Sequence, residues 1–387
     1  MNLIDLSAAI LISAAFAYLV TPAMGFIAGG LGIVDRPSKR KVHLRNTPLL
    51  GGLAIYFGFI ISLTLTAICD RMLLGMLVGG TVMMVIGLAD DKFGMLPRVK
   101  LLGQFVAALI AVLLGVRVAF LKITWASMAF TCVWLVAITN AFNLLDNING
   151  LCAGVSAIAA FFFGILAYIN GDMLIAVTAL ALMGGCLGFL KHNFPNAKIF
   201  MGDAGSLFLG YVLGSIAVAG SWKTSSVTTS LAIPILILGY PIFDITLVTL
   251  TRLMEGRPVS AGGKDHSSHR FAIAIMESVR GARIKRGKGI SRRKFFRLAV
   301  VEFMKGLKKK GHDRSLDRLA ALGFRNKRAV IFLYAMGFAL GLAALAMTVL
   351  GRYFDWTIMI FAFVLLCLFG LRLAIVPIAA DKKKRKG

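Results

Sequence analysis

The chain has 387 residues, 58% of them hydrophobic and 41 of them glycine, with a mean hydropathy of +0.84, a balance that excludes a soluble globular domain. Its formal net charge of +26 would suit a nucleic-acid binder. The basic residues, however, sit in loops between long apolar runs, which excludes that class and marks a polytopic membrane protein with membrane lipid as a partner.

The apolar runs are roughly 16 to 23 residues long, close to the ~20 that a helix needs to cross a bilayer. An all-α fold is expected, because lipid offers no partner to unpaired backbone groups and the runs lack the alternation of barrel strands. In chain order the eleven expected transmembrane helices lie at about 3–27, 51–69, 72–89, 99–116, 125–139, 151–169, 173–190, 205–220, 230–250, 329–349 and 357–379. The first run carries Asp5, with no basic flank and no cleavage site, so it is expected to stay as a helix. With the N-terminus outside, loops 28–50, 90–98, 140–150, 191–204, 251–328 and 380–387 fall inside and hold nearly all the Lys and Arg. The outer loops offer only Arg71, Arg117, Lys122, Lys223 and Arg352. This asymmetry places the C-terminal DKKKRKG in the cytoplasm and the protein in the cytoplasmic membrane. Cys69, Cys132, Cys152, Cys186 and Cys367 lie in or beside apolar runs without a CxxC pair, and read as small buried hydrophobes.

The polar motifs fall on the inner loops. The basic stretch Arg36–Arg45 reads as a cytoplasmic anchor or as a cationic lip that draws in a phosphorylated substrate. The third run ends in Asp90 and Asp91. Two adjacent carboxylates at a membrane boundary repel each other, which suits a proton acceptor or a divalent-cation site; a solvated helix end is the plainer reading. Arg98 and Lys100 then open the fourth run, placed to face an anion.

Between the fifth and sixth runs stands NAFNLLDNING, Asn140 to Gly150. If the fifth helix runs on through it, Asn140, Asn143 and Asn147 share one face, and amides beside Asp146 suit a metal or a phosphorylated sugar. A cap and turn would use the same residue types. Gly202–Ser206, GDAGS, reads as a glycine turn ahead of a helix, in which N–H groups approach phosphate while Asp203 holds Mg²⁺.

Asp244 is an intramembrane carboxylate, either functional or bonded to backbone freed by Pro241. His266, His269 and Arg270 favour anion binding over zinc, which wants three or four donors. From Arg280 to Arg328, 18 basic residues face only Glu302, Asp313 and Asp317, while Phe296, Val300, Phe303, Met304 and Leu307 recur at helical spacing. That pattern fits an interfacial amphipathic helix on anionic lipid, with a disordered basic loop as the alternative.

DDKFGMLPRVKLLGQ, NAFNLLDNINGLCAG, FMGDAGSLFLG and DHSSHR, in that order, resemble the polyprenyl-phosphate N-acetylhexosamine-1-phosphate transferases, glycosyltransferase family 4. The resemblance covers residues 1–271 as a catalytic core and resumes near Arg318, so 272–317 is expected to be a basic insertion and 318–387 the last two helices and tail. It implies transfer of a sugar 1-phosphate from a UDP-N-acetylhexosamine to undecaprenyl phosphate, with release of UMP and a requirement for Mg²⁺, or Mn²⁺ in its place. By position it assigns Asp90 and Asp91 to the catalytic acidic pair and Lys100 to the phosphate-facing lysine. Asn143 and Asp203 are assigned to the metal, and His266, His269 and Arg270 to the nucleotide-sugar loop. Asn140, Asp146 and Asn149 complete the expected substrate-binding set. In the mechanism this implies, Asp90 takes the last proton of the lipid phosphate, which displaces UMP directly; a two-step route through an aspartyl phosphate stays open.

Two departures bear on specificity. Where most bacterial members read DGxDG, this chain has Asp146, Asn147, Ile148, Asn149 and Gly150, and an amide at 149 is neither base nor nucleophile. DHSSHR replaces the three-histidine run of the muramoyl-pentapeptide branch, which points to a smaller UDP-N-acetylhexosamine such as UDP-GlcNAc. A transporter, the reading from another class, predicts inverted repeats and several midplane charges; no repeat is evident and Asp244 is the one deep carboxylate. A homodimer is compatible with the sequence.

Overall fold

In the computed structural model, the described residues are 2–35, 46–118, 121, 123–222, 227–256, 267, 271, 326–350 and 352–374. They form helices almost throughout: α1 (Leu3–Gly30), α2 (Gly51–Thr66), α3 (Arg71–Phe93), α4 (Pro97–Leu113), α5 (Thr124–Leu145), α6 (Leu151–Ile169), α7 (Met173–Asn193), α8 (Gly202–Ala219), α9 (Val227–Ile237), α10 (Gly239–Met254), α11 (Asn326–Leu350) and α12 (Arg352–Ala374). Among them, eight are long and apolar enough to cross a membrane, or nine if α9 and α10, broken at Leu238, make one span. Each of the eleven expected runs overlaps one of these helices or the broken pair. By length, α2 with 16 residues and α4 with 17 stand at the short end of what crosses a bilayer.

Three of the helices start where a capping side chain satisfies the first orphan N–H groups. Asn2 and Asp5 form a capping box on α1, Asp70 Oδ1 accepts from Leu73 N at 2.7 Å ahead of α3, and Asp172 Oδ1 accepts from Ile175 N at 3.2 Å ahead of α7.

The chain divides into two compact units. The larger comprises Met1–Ile242 with Leu333–Ile360. There α8 is the inner helix: α3, α5 and α2 pack around it, while α1, α2 and α6 pack on α7. Tyr211, Phe208 and Leu209 of α8 are fully buried. Small residues bring the helices close, and a methyl group at Gly87 of α3 would run into the backbone of Asp203 and Ala204. A two-residue antiparallel ribbon, β1 (Val34–Asp35) with β2 (Thr47–Pro48), precedes α2. Its exit strand ties down the approach to α8, since Phe200 N donates to Pro48 O and Gly51 N and Gly52 N donate to Phe200 O and Met201 O, all within 2.8–3.0 Å.

The smaller unit comprises Phe243–Phe332 and Phe361–Gly387, and among its described residues Leu247, Phe271, Ala329 and Leu373 form the core. Asp244 is buried there and accepts from Ser267 N at 2.7 Å. The carboxylate thus meets a backbone donor of a residue 23 positions later in the chain. The basic stretch 36–45, the triad His266, His269 and Arg270, and the insertion 272–317 lie outside the described residues.

Candidate active site

Four helices of the larger unit bring their polar ends together. Consecutive residues on an α-helix point about 100° apart, so Asp90 and Asp91 at the end of α3 diverge. Asp90 turns toward α4. Its Oδ1 accepts from Met95 N at 2.6 Å, closing the turn that Gly94 makes at φ 69°, and its Oδ2 accepts from Lys100 Nζ at 2.9 Å. Asp91 turns toward α8, where its two oxygens accept from Asp203 N at 2.9 Å and Ala204 N at 3.1 Å.

Pro97, in the first turn of α4, sets Lys100 one turn into that helix. From there the ammonium donates to three groups on three helices: Asp90, Asp203 on α8, and Asn143 Oδ1 on α5 at 3.3 Å. Asn143 Nδ2 in turn donates to Ser206 Oγ at 3.0 Å. One turn earlier on α5, Asn140 exchanges hydrogen bonds with Gln104 of α4, its Nδ2 lying 2.7 Å from Gln104 Oε1. The side chain of Asp203 is 35% exposed, against 12% for Lys100 and 17% for Asp90, so Asp203 is the carboxylate that opens outward.

Two expected local structures are corrected. Gly202–Ser206 is the first turn of α8 itself rather than a turn ahead of it; an acid in the first turn complements the helix dipole, and Asp91 supplies the acceptors a cap would. The fifth helix extends past 139 to Leu145 and stops there, so Asn140 and Asn143 are helical while Asn147 is not. Asn147 Nδ2 folds back onto Leu144 O at 2.7 Å, a local bond that competes with continuing the helix.

The turn 146–150 borders the cluster. Asn149 Nδ2 reaches Pro195 O at 3.4 Å. Burial pushes the Asp146 carboxyl well above the usual carboxylate range, with the neighbouring charges of Asp203 and Asp91 adding to the effect.

Of the expected site residues, the structure gathers Asp90, Lys100, Asn143 and Asp203 into one cluster, sets Asp91 behind it, Asn140 beside it, and Asp146 and Asn149 on the bordering turn. Ser206 and Gln104 were missed. Both were detectable, since Gln104 follows Lys100 by four residues and Ser206 follows Asp203 by three, the spacings that share a helix face. Asn193 was also missed; it binds Gly150 N at 2.6 Å and Ile199 O at 2.8 Å and holds the turn from below.

The donor set is oxygen only: two carboxylates and an amide carbonyl already converge on one cation, the Lys100 ammonium. Among the described residues no three His, Cys, Asp or Glu are grouped so that they could hold a metal ion by themselves. Such a set fits a hard cation that keeps waters or substrate oxygens for its remaining positions, as Mg²⁺ does.

The helical bundle thus concentrates acids, an amide and one lysine where the ends of α3, α4, α5 and α8 meet. A family model described as glycosyl transferase family 4 matches residues 73–221. The chain is 37% identical over 280 residues, 70% of its length and 78% of the relative's, to a Bacillus subtilis protein named "Probable undecaprenyl-phosphate N-acetylglucosaminyl 1-phosphate transferase". It is 32% identical over 307 residues, 70% of its length and 76% of the relative's, to the decaprenyl-phosphate N-acetylglucosaminephosphotransferase of Mycobacterium leprae. The phospho-N-acetylmuramoyl-pentapeptide-transferase of Moorella thermoacetica is 34% identical over a shorter 210 residues, 48% of this chain and 66% of the relative. The chain belongs to glycosyl transferase family 4.

Proposed function

We propose that the chain transfers N-acetylhexosamine 1-phosphate, in the first place GlcNAc 1-phosphate, from a UDP-sugar to undecaprenyl phosphate, yielding the diphosphate-linked sugar and UMP. The observation that carries this reading is Lys100, held on Asp90, Asp203 and Asn143. Both substrates are phosphate anions, and phosphoryl transfer asks a protein mainly for positioning and charge neutralisation. The names of the Bacillus and Mycobacterium relatives, which match over a longer stretch than the muramoyl-pentapeptide enzyme, support the N-acetylglucosamine choice.

Asp90 accepts the last proton of the lipid phosphate, and Lys100 keeps that acid ionised and adjacent. An oxygen of the lipid phosphate then forms a bond to the β-phosphorus of the UDP-sugar. The bond from that phosphorus to the bridging oxygen breaks, and its electron pair leaves with UMP. Asp203 and Asn143 would hold Mg²⁺, which when bound offsets the negative charge of the diphosphate. Asn143 is kept in orientation by Ser206, and Asn140 by Gln104. Asp91 acts one step back by fixing the first turn of α8. Asp146 and Asn149, with His266, His269 and Arg270, belong to the nucleotide-sugar side.

The same reading takes eleven membrane crossings, an outer N-terminus, a cytoplasmic C-terminus and an active site on the cytoplasmic face of the inner membrane, supported by the charge asymmetry of the loops. It divides the chain into a core at 1–271, a basic insertion at 272–317 and closing helices at 318–387, and it allows a homodimer.

The test is turnover by purified protein with undecaprenyl phosphate, Mg²⁺ and a panel of UDP-sugars. UMP and a lipid-linked product are expected with UDP-GlcNAc and not with UDP-MurNAc-pentapeptide. Efficient use of the pentapeptide substrate overturns the sugar choice, and no UMP with any sugar overturns the reaction.

A further inference from the structure

Gly150 closes the turn that carries Asp146 and Asn149, and it is gripped on both faces of its peptide chain. Its N–H donates to Asn193 Oδ1 at 2.6 Å, from the end of α7. Its carbonyl accepts from Tyr334 Oη, also at 2.6 Å, from a residue 184 positions later in α11. The Tyr334 ring lies over Gly154 in the first turn of α6, where any side chain would collide with it, and 6.0 Å from the ring of Phe194. Gly150 itself sits at φ 77° with Phe194 against its α-carbon, and its carbonyl also accepts the first α6 bond from Gly154 N at 2.8 Å, so the Tyr334 hydroxyl is a second donor that ties this turn to α11. Each of these groups belongs to the larger unit.

The residues matched by the family model, 73–221, include the turn, Asn193 and Phe194 but stop short of Tyr334. The chain leaves the larger unit at Ile242 and re-enters it at Leu333, one residue before the tyrosine. The first side chain to reach the turn after that return is a phenol, whose ring fills the space above Gly154 and whose hydroxyl meets the turn's last carbonyl. A phenylalanine would fill the same space, so packing alone does not call for the hydroxyl.

We infer that Tyr334 is a positioning residue for the transfer reaction, locking the Asp146–Gly150 turn in the conformation that receives the nucleotide sugar. This rests on the function proposed above for that turn. If the turn is correctly shaped only part of the time, apparent affinity falls by the fraction competent while the bound complex reacts at its normal rate. Loss of the hydroxyl is therefore expected to act on KM and to spare kcat.

The experiment compares wild type, Tyr334→Phe and Gly154→Ala as full chains in detergent, by steady-state kinetics and by hydrogen exchange of peptides covering 146–154. Gly154→Ala displaces the ring without altering the tyrosine and is the second route to the same loss. The expected result is a 3- to 10-fold rise in KM for the UDP-sugar, kcat within twofold, and faster exchange confined to 146–154 in both variants. Unchanged exchange of that segment in Tyr334→Phe overturns the inference. So does faster exchange spread evenly over the chain, or an equal loss in kcat with KM unmoved, because those mark a general structural role. If wild type turns over no UDP-sugar, the function proposed above has failed, and the exchange comparison alone decides whether Tyr334 holds the turn.

Discussion

Asp90 and Asp91 are neighbours in sequence with opposite tasks in space, and their asparagine variants separate those tasks. Asp91 gives both oxygens to the first turn of α8, at 2.9 Å and 3.1 Å. Asparagine keeps one carbonyl oxygen, so one of the two bonds survives. What is lost is one of two hydrogen bonds to the first turn of α8, with a buried donor left unsatisfied at about 1–3 kcal/mol. Only part of that loss reaches the reaction, through a small displacement of Asp203, so the rate of UMP release should fall about 10-fold, the equivalent of about 1.4 kcal/mol. Asp90→Asn instead removes the group proposed to take the proton, worth about 10²- to 10⁴-fold. The assay pairs turnover with hydrogen exchange at residues 202–206. Asp91→Asn should lose protection at the amides of Asp203 and Ala204 and keep roughly a tenth of its activity, whereas Asp90→Asn should keep that protection and be nearly inert. Full protection in an Asp91→Asn protein slowed by about 10³-fold would refute the reasoning and return Asp91 to the chemistry.

Replacing Lys100 by methionine keeps its length and removes the shared cation. Breaking a buried ion pair costs about 3–5 kcal/mol, less here because Asp203 is 35% exposed, and UMP release should drop by at least about 10²-fold; a variant retaining more than a tenth of wild-type activity would show that the cluster's charge is not used. Gly202→Ala and Gly94→Ala form a matched pair, with φ of 75° and 69°. A side chain at 202 meets Leu49 O and the Asp91 carboxylate, while one at 94 meets open space. Both should lose about 1–2 kcal/mol to the left-handed backbone, and Gly202→Ala should lose distinctly more yield and thermal stability of the purified protein than Gly94→Ala; equal behaviour would mean that the contact at Gly202 yields freely.

The helices were legible because long apolar runs leave the backbone no other choice in lipid. Their ends were less so. The fifth helix outran its apolar stretch by six residues, from 139 to Leu145, because Asn140 and Asn143 find partners on α4 and α8 that no hydropathy profile displays. The eighth began at Gly202 because a carboxylate from α3 caps it. Motif resemblance located Asp90, Lys100, Asn143 and Asp203 and named Asp90 and Asp91 as one catalytic pair; the 100° step between adjacent helical residues sends the first carboxylate to Lys100 and the second to the backbone of α8. Tyr334 left no signal at all. Its contact spans 184 residues, and a tyrosine in an apolar run looks like any other membrane aromatic.

The seclusion of α8 has a consequence for how the enzyme meets membranes of different thickness. Of its apolar stretch 83% is buried, against 22% of that of α1. Hydrophobic mismatch is a force exerted by acyl chains on the surfaces they touch, at fractions of a kcal/mol per Å, answered by tilting or by local deformation of the bilayer. It therefore acts on α1 and scarcely on α8. The lipid-facing side of α1 meets the acyl chains directly, while the depth of Asp203 is set by protein neighbours: Met201 and Phe200 bonded to the start of α2, and Gly87 in contact with the backbone of Asp203 and Ala204. A lipid phosphate arriving from the bilayer thus finds the acid at a level fixed by the protein and not by the membrane around it.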